Sequence, residues 1–469
     1  MGGSEDGMTQ AVVVGAGLKG IAAARALALE GCQTILVDPA PRLGGVYATI
    51  PWEGFSLDIG RHIFPGGVPA TAVLQDLAGA PFREVRPRAA SISFGCRTLD
   101  SELPDFTHLD DDARGALLAD VLDHAVRAGP EAAAPPCPHL TMAAQLEHRF
   151  GARAAAALAP MAAKILQADP AEISGLGLLP APFTRLRLAD DETTAALKRV
   201  PAFDRVLQQI NLTGSPSSDP APARHLYPAS GGMGGFASAC AKRLEELGVA
   251  LELGRTVRAL SPGARGGHLV LLDDGRSLSP DIVVWTSGAP ALAGLMGLDP
   301  APIEAEARPA PIVLYYFDIP AQAATGLNWV WDFDPDHLAF RISVPSLIDP
   351  ANAPDGRHYV CAEVPVPLDG PVFADPAAHA QTVWAEVHAA GIAAGPMPER
   401  FRTMKTPVAY RSCTPAWREA LVPLQERLAR HEGLEMTDEF LFGAAPSVQE
   451  AARAVSTALD GPSAARLAG

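Results

Sequence analysis

Ala11-Val12-Val13-Val14-Gly15-Ala16-Gly17-Leu18-Lys19-Gly20 carries a short β-branched run straight into a GxGxxG turn. Four apolar residues in a row fit a strand buried on both faces. Residues 21–30 are rich in Ala and Leu, and Gly31 supplies a helix stop. Residues 33–37 form a second apolar run ending at Asp38, 18 positions after Gly20. The spacing predicts a strand–turn–helix–strand unit in which each glycine has a mechanical task. Gly15 permits the tight turn, Gly17 lets a pyrophosphate reach the backbone, and Gly20 lets the helix lie close to the sheet. Backbone N–H groups of the turn, including those of Ala16, Leu18 and Lys19, meet the phosphates at the positive end of the helix dipole. Asp38 is in position to accept from a ribose hydroxyl. A merely structural glycine turn is the plainer reading, but the strand–turn–helix–strand–acid context favours a bound dinucleotide.

The rest of the chain limits what kind of protein this is. It has 469 residues, with 37 Lys+Arg against 53 Asp+Glu and a formal charge of −16. That balance argues against nucleic-acid or anionic-membrane partners, which call for clustered Lys and Arg. With 48% hydrophobic residues the chain can bury a large core, and its 43 Gly and 44 Pro predict many turns without a disordered composition. The first ten residues have no basic stretch before an apolar one, so no secretory leader is expected. The longest apolar run, 282–298, is broken by Thr286, Ser287 and Gly288-Ala289-Pro290, so no membrane insertion is expected. Six scattered cysteines without a CxxC pair fit reduced thiols and a cytoplasmic setting. The twelve histidines show no HxxxH or HExxH spacing, so no metal is expected.

Asp38 is followed by Pro39-Ala40-Pro41-Arg42-Leu43-Gly44-Gly45. This resembles the acid-x3-Arg-x-Gly-Gly pattern of an FAD-dependent superfamily that includes amine oxidases, protoporphyrinogen oxidase, phytoene desaturases and UDP-galactopyranose mutase. The resemblance implies FAD as cofactor, with Arg42, Gly44 and Gly45 along its pyrophosphate and Asp38 where the family usually has Glu. A simple NAD dehydrogenase has no need of this second glycine pair. Phe55-Ser56-Leu57-Asp58-Ile59-Gly60-Arg61-His62-Ile63-Phe64 is similar to the F-x-[FY]-D-x-G-x-H-x-F stretch of mutase-like and protoporphyrinogen-oxidase-like members. It implies a flavin-facing loop with Gly60 and Arg61 at the cofactor and His62 in a catalytic role. Arg61 replaces the glycine usual in the mutases.

Leu226-Tyr227-Pro228-Ala229-Ser230-Gly231-Gly232-Met233-Gly234-Gly235 precedes a helical stretch, 236–247, and a strand, 250–253. No buried strand leads into these glycines, so a second phosphate loop is not expected. The segment resembles the superfamily's return into the FAD domain, which sets Val257 against adenine. Residues 281–286 fit the last parallel strand. No second strand–GxGxxG–helix unit occurs, which counts against a permanent NADPH domain. Near the end, 439–443 reads as a strand, and Ser447-Val448-Gln449-Glu450 reads as a capping box opening a helix over 451–459. The resemblance turns this helix N-terminus toward the flavin, with Gly443, Ser447 and Val448 at the cofactor.

On the substrate side, helices are expected over 110–128 and 142–158, with strands over 90–99, 312–317, 328–333, 338–344 and 358–364. Trp329 and Trp331 share one face of their strand. Resemblance to mutase-like strands implies that Arg341 meets an anionic substrate; related oxidases place Tyr410 near the flavin, so both are catalytic-site candidates. Lys405 is a weak candidate for the lysine that amine oxidases hold near the flavin. The fold expected is α/β: a Rossmann-type FAD-binding domain with a parallel sheet flanked by helices, and a discontinuous α+β substrate domain with a mainly antiparallel sheet. Its expected segments are 1–70, 206–300 and 401–469 for FAD, and 71–205 and 301–400 for substrate. The expected activity is FAD-dependent removal of a hydride equivalent from a C–N or C–C bond of a small organic substrate. Alternatives are a mutase-like, non-redox rearrangement of a nucleotide sugar and a non-enzymatic FAD-binding scaffold.

Overall fold

The computed structural model describes residues 8–60, 63–65, 69–208, 225–263, 267–441 and 443–460. Its centre is a five-stranded parallel sheet in the order Ala250–Leu253, Gln33–Asp38, Gln10–Val14, Ile282–Trp285, Leu434–Met436. The first strand sits in the middle because Val12 and Val13 are apolar toward both faces and are buried on both. The helices Leu18–Leu29 and Ala444–Asp460 pack against one another on one side of it. Chain order reverses beside the central strand, between Gln33–Asp38 and Ile282–Trp285. A doubly wound sheet receives its ligand at the carboxyl ends flanking such a reversal.

The second sheet has seven strands, ordered Phe401–Cys413, Ala307–Pro320, Arg357–Pro365, Arg341–Ser343, Trp329–Asp332, Ala89–Ser93, Cys96–Leu99. Every neighbouring pair is antiparallel except Trp329–Asp332 with Ala89–Ser93. Phe401–Cys413 is thus an edge strand of the large sheet, although 401 was expected to open the last FAD-binding segment. Helices Asp111–Ala128, Met142–Phe150 and Ala152–Leu166 form a lobe whose core is continuous with the inner face of this sheet.

Three local expectations are corrected. The stretch expected as one helix over 142–158 is two, because Gly151, at φ 92°, ends the first and precedes the second. The strand expected over 439–443 lies earlier, at Leu434–Met436, where it pairs with Val283 to Trp285. The last helix begins at Ala444, so Ser447 and Glu450 lie inside it and form no capping box. Pro446 is compatible with that early start because the first turn of a helix has no use for its missing N–H.

One buried ion pair ties the helical lobe to the large sheet. Lys164 donates to the carbonyls of Asp332 (3.0 Å) and Asp334 (2.7 Å) and lies 3.4 Å from Asp332 Oδ1. Asp332 Oδ2 is 2.7 Å from His337 Nδ1. Asp332, Asp334 and His337 are close enough to hold a metal ion together. The Lys164 ammonium already supplies a cation there.

Candidate active site

The glycine turn is closed by contacts that leave no room for side chains. A Cβ on Gly20 would lie 1.6 Å from the Gly15 carbonyl oxygen, and one on Gly15 would lie 2.4 Å from Thr286 Oγ1. Thr286 caps the end of its strand by donating to the carbonyls of Val14 (3.0 Å) and Gly15 (3.2 Å). Gly17 differs: nothing lies within 4 Å of the position its Cβ would take. Gly44 donates to the Ala16 carbonyl (2.9 Å), and Gly45 comes against Gly17, its Cβ position 3.4 Å from Gly17 Cα. The two glycine motifs therefore form opposite walls of one groove.

Within that groove, a cleft of about 300 Å³ is lined by Gly17, Lys19, Gly45, Tyr410, Gly443 and Ser447, among others. Side-chain-free walls and the N-terminus of the 17-residue last helix present backbone N–H groups to this space. The donor set fits a diphosphate. Lys19 reaches out of the turn to the Asp438 carbonyl, and burial lowers its pKa despite nearby Asp438, Glu450 and Glu439. Glu439 accepts from Ala289 N–H (3.1 Å) and pairs with Arg411 (2.6 Å).

Asp38 accepts from the backbone N–H of Ala16 (2.6 Å) and of Ala40 (2.7 Å), so it braces the turn as well as ending its strand. The Asp38 carbonyl accepts from Arg255 N–H (3.0 Å), which brings the approach to Val257 alongside. Val257 itself is buried in the core behind the parallel sheet. Arg42 is exposed, Leu18 is buried, and Val448 is partly buried against the main core.

The substrate-side candidates meet around Arg341. Its guanidinium grips Glu363 with two bonds, 2.6 and 2.9 Å, and also donates to the Gly60 carbonyl. It lies 5.0 Å from the Trp331 ring centroid and 5.6 Å from that of Phe340. Phe340 in turn meets Tyr410 edge-on at 6.0 Å. Tyr410 thus links the cleft to the Arg341 cluster. The anionic substrate contact expected of Arg341 meets a guanidinium whose charge Glu363 already matches. Lys405 is corrected outright: it is exposed, donates to the Ala374 carbonyl (2.9 Å) and does not line the cleft. His62 and Arg61 lie outside the described residues.

Sequence reasoning did not single out the anchorage of the Gly60 segment. Asp58 donates its N–H to Tyr359 (3.1 Å), its carbonyl accepts from Tyr316 (3.1 Å), and its carboxylate accepts from Tyr227 (2.8 Å). Burial pushes the Asp58 carboxyl up to about 7, against the opposing bonds from Tyr227 and the Met233 backbone. Each of these partners sits far away in sequence, so no local spacing signals the cluster.

Comparison with known proteins agrees with this geometry. Residues 19–318 match the family of flavin-containing amine oxidoreductases. The chain belongs to that family. A hydroxyneurosporene desaturase of Cereibacter sphaeroides is 29% identical over 358 residues, 72% of this chain and 64% of that protein's length. Among solved structures, a reduced UDP-galactopyranose mutase aligns at a TM-score of 0.74 with 17% identity, covering 97% of this chain and 94% of the other. A putrescine oxidase bound to putrescine aligns at 0.62 with 17% identity over 97% and 99%. No helix among the described residues is long and apolar enough to cross a membrane.

Proposed function

We propose that the protein oxidises a C–C bond of an apolar organic substrate, as a desaturase or dehydrogenase, with the C–N oxidation of amines as the competing reading. The observation that carries this is the single cleft shared by Gly17, Gly45, Tyr410, Gly443 and Ser447. The desaturase named among its relatives favours C–C over C–N. FAD supplies the hydride acceptor. In this reading the Gly15–Gly20 turn, through the N–H groups of Leu18 and Lys19, and the facing Gly44-Gly45 pair hold the pyrophosphate, with Arg42 at its outer side; the Ala16 N–H, expected there too, is instead given to Asp38. Asp38 serves the adenosine ribose and Val257 the adenine.

Gly443, Ser447 and Val448 bring the last helix to the flavin, where its dipole favours negative charge on the ring. Tyr410 shields the reacting face, and Arg341 holds the Gly60 segment. A nucleotide-sugar rearrangement has fold likeness and the mutase-like sequence 55–64 behind it, but Arg341, its anion contact, is engaged by Glu363. The test is anaerobic titration of the flavin-loaded protein, watching loss of the oxidised flavin absorbance. Apolar hydrocarbons with saturated C–C bonds are expected to bleach it. Bleaching by amines alone, or by no compound in either class, overturns the reading.

A further inference from the structure

A separate cavity of about 300 Å³ opens at the end of the parallel sheet remote from the cofactor groove. Leu434, one of its walls, is the first residue of the strand Leu434–Met436. His268, another, donates its N–H to the Pro280 carbonyl (2.8 Å), just before the strand Ile282–Trp285 begins. The cavity therefore lies by the amino ends of these strands, whereas Thr286 and the cofactor groove lie at the carboxyl ends. Strands Val257–Pro262 and His268–Leu272 border it, as does the helix Val422–Leu428 with the turn that follows. Leu260, Leu295, Met296 and Leu434 supply apolar walls, and Arg427, His431 and His268 supply the polar side.

Arg427 decides what this cavity accepts. It is half-buried, and its guanidinium has no hydrogen bond or ion pair among the described residues. Elsewhere in this acidic chain, Arg187, Arg341 and Arg453 each meet a carboxylate. His431 is also half-buried, and its imidazole has no hydrogen bond among the described residues. Burial and the nearby Arg427 charge hold that imidazole below its ordinary pKa. Its ring lies 6.3 Å from that of His268, which is committed through Nε2 to the Glu432 carbonyl (2.9 Å). A cation is repelled by Arg427, and a neutral guest leaves the guanidinium unmatched. A phosphate dianion brings two charges to one fixed cation and turns its spare oxygens onto hydrocarbon walls. A carboxylate brings one charge, meets the planar guanidinium with two parallel bonds and takes a third from the His431 N–H. The apolar walls then receive the body of the acid, and a volume at the lower end of ligand pockets keeps that body small.

We propose that Arg427 and His431 form a binding site for a small organic carboxylate with an apolar body, distinct from the cofactor groove. Benzoate, benzyl alcohol, benzylamine and inorganic phosphate are titrated calorimetrically into the flavin-loaded protein at about pH 8, where imidazoles are ordinarily neutral. Benzoate is expected to bind with a Kd of about 1 mM or tighter. Each of the other three is expected to bind at least about tenfold more weakly, since none matches the guanidinium one to one against apolar walls. Arg427→Met keeps an apolar stem and is expected to weaken benzoate by about tenfold or more, at unchanged flavin absorbance and melting temperature. Arg418→Met, at an exposed arginine outside the cavity, is expected to leave benzoate binding as it was.

Should Arg427→Met not fold, His431→Phe, which removes one donor at the same cavity, is expected to weaken benzoate by about threefold or more. Benzoate binding weaker than about 1 mM overturns the proposal, as does equal or tighter binding of the alcohol, the amine or phosphate. So does unchanged benzoate affinity in Arg427→Met or, where that variant does not fold, in His431→Phe. Loss of benzoate binding in Arg427→Met with the flavin band unmoved separates this site from the cofactor groove, so the outcome stands apart from the reading of the oxidoreductase reaction.

Discussion

Around Gly20 the parallel sheet excludes any side chain, since even a methyl group would fall 1.6 Å from the Gly15 carbonyl oxygen. Around Lys164 the large sheet is secured the opposite way, by a long side chain whose buried ammonium satisfies two carbonyls and a carboxylate. The nucleotide side is built from positions where atoms cannot be added. The substrate side is built from pairs in which neither member can be removed: Arg341 with Glu363, Lys164 with Asp332, Asp58 with its three tyrosines. Steric exclusion fixes a shape for any ligand carrying a diphosphate. Charge pairing fixes individual side chains, and such side-chain detail is where members of one fold diverge.

The sharpest break in this contrast is Gly20→Val, which is expected to yield no folded, flavin-bearing protein. Gly17→Ala, with open space where its methyl goes, is expected to melt as the wild type does yet lose at least about tenfold in FAD affinity. The ratio of flavin to protein absorbance separates the two, and unchanged affinity in Gly17→Ala would remove the pyrophosphate from this turn. Next in size, Lys164→Met strips Asp332 of its ammonium and is expected to cost about 3 kcal/mol in urea unfolding. A loss under about 1 kcal/mol would mean that His337 and the Asp334 N–H suffice for Asp332.

Asp58 sharpens the comparison through pH. Its carboxyl sits at about 7 in the folded chain against 3.8 ordinarily. Between those values the folded state binds the extra proton, so stability falls as pH rises from about 4 to 7 and is level above that. Asp58→Asn does not titrate, so its stability relative to the wild type should rise by about 3 kcal/mol between pH 5 and pH 8. Denaturant midpoints at the two pH values check it, and a constant difference would contradict it. Smallest of all, Lys405→Ala is expected to leave flavin reduction unchanged and to cost under about 0.5 kcal/mol.

The same contrast explains what was legible beforehand. Gly15, Gly17, Gly20, Gly44 and Gly45 act through backbone shape, and a missing side chain leaves its mark in the local sequence. The central strands of the parallel sheet, Gln10–Val14 and Ile282–Trp285, likewise follow from continuous apolar runs, whereas Leu434–Met436 is too short at three residues to stand out. Pairings across the large sheet leave no such mark. Arg341 meets Glu363 across 22 residues and Gly60 across 281, and His225 meets Trp329 across 104. The Glu363 partner that neutralises Arg341 was therefore not readable from the local sequence. The last helix was recognised, but a Ser-x-x-Glu pattern inside it imitated a start, because the true beginning at Ala444 has a proline in its first turn.

Lys19, near the beginning of the chain, reaches the carbonyl of Asp438, and the first and last helices lie side by side. A growing polypeptide therefore holds only one jaw of its clasp for most of its synthesis. With the cofactor contacts proposed above, the pigment is not fully gripped until the stretch around 440–460 has emerged from the ribosome and folded back, a late step in the making of each molecule.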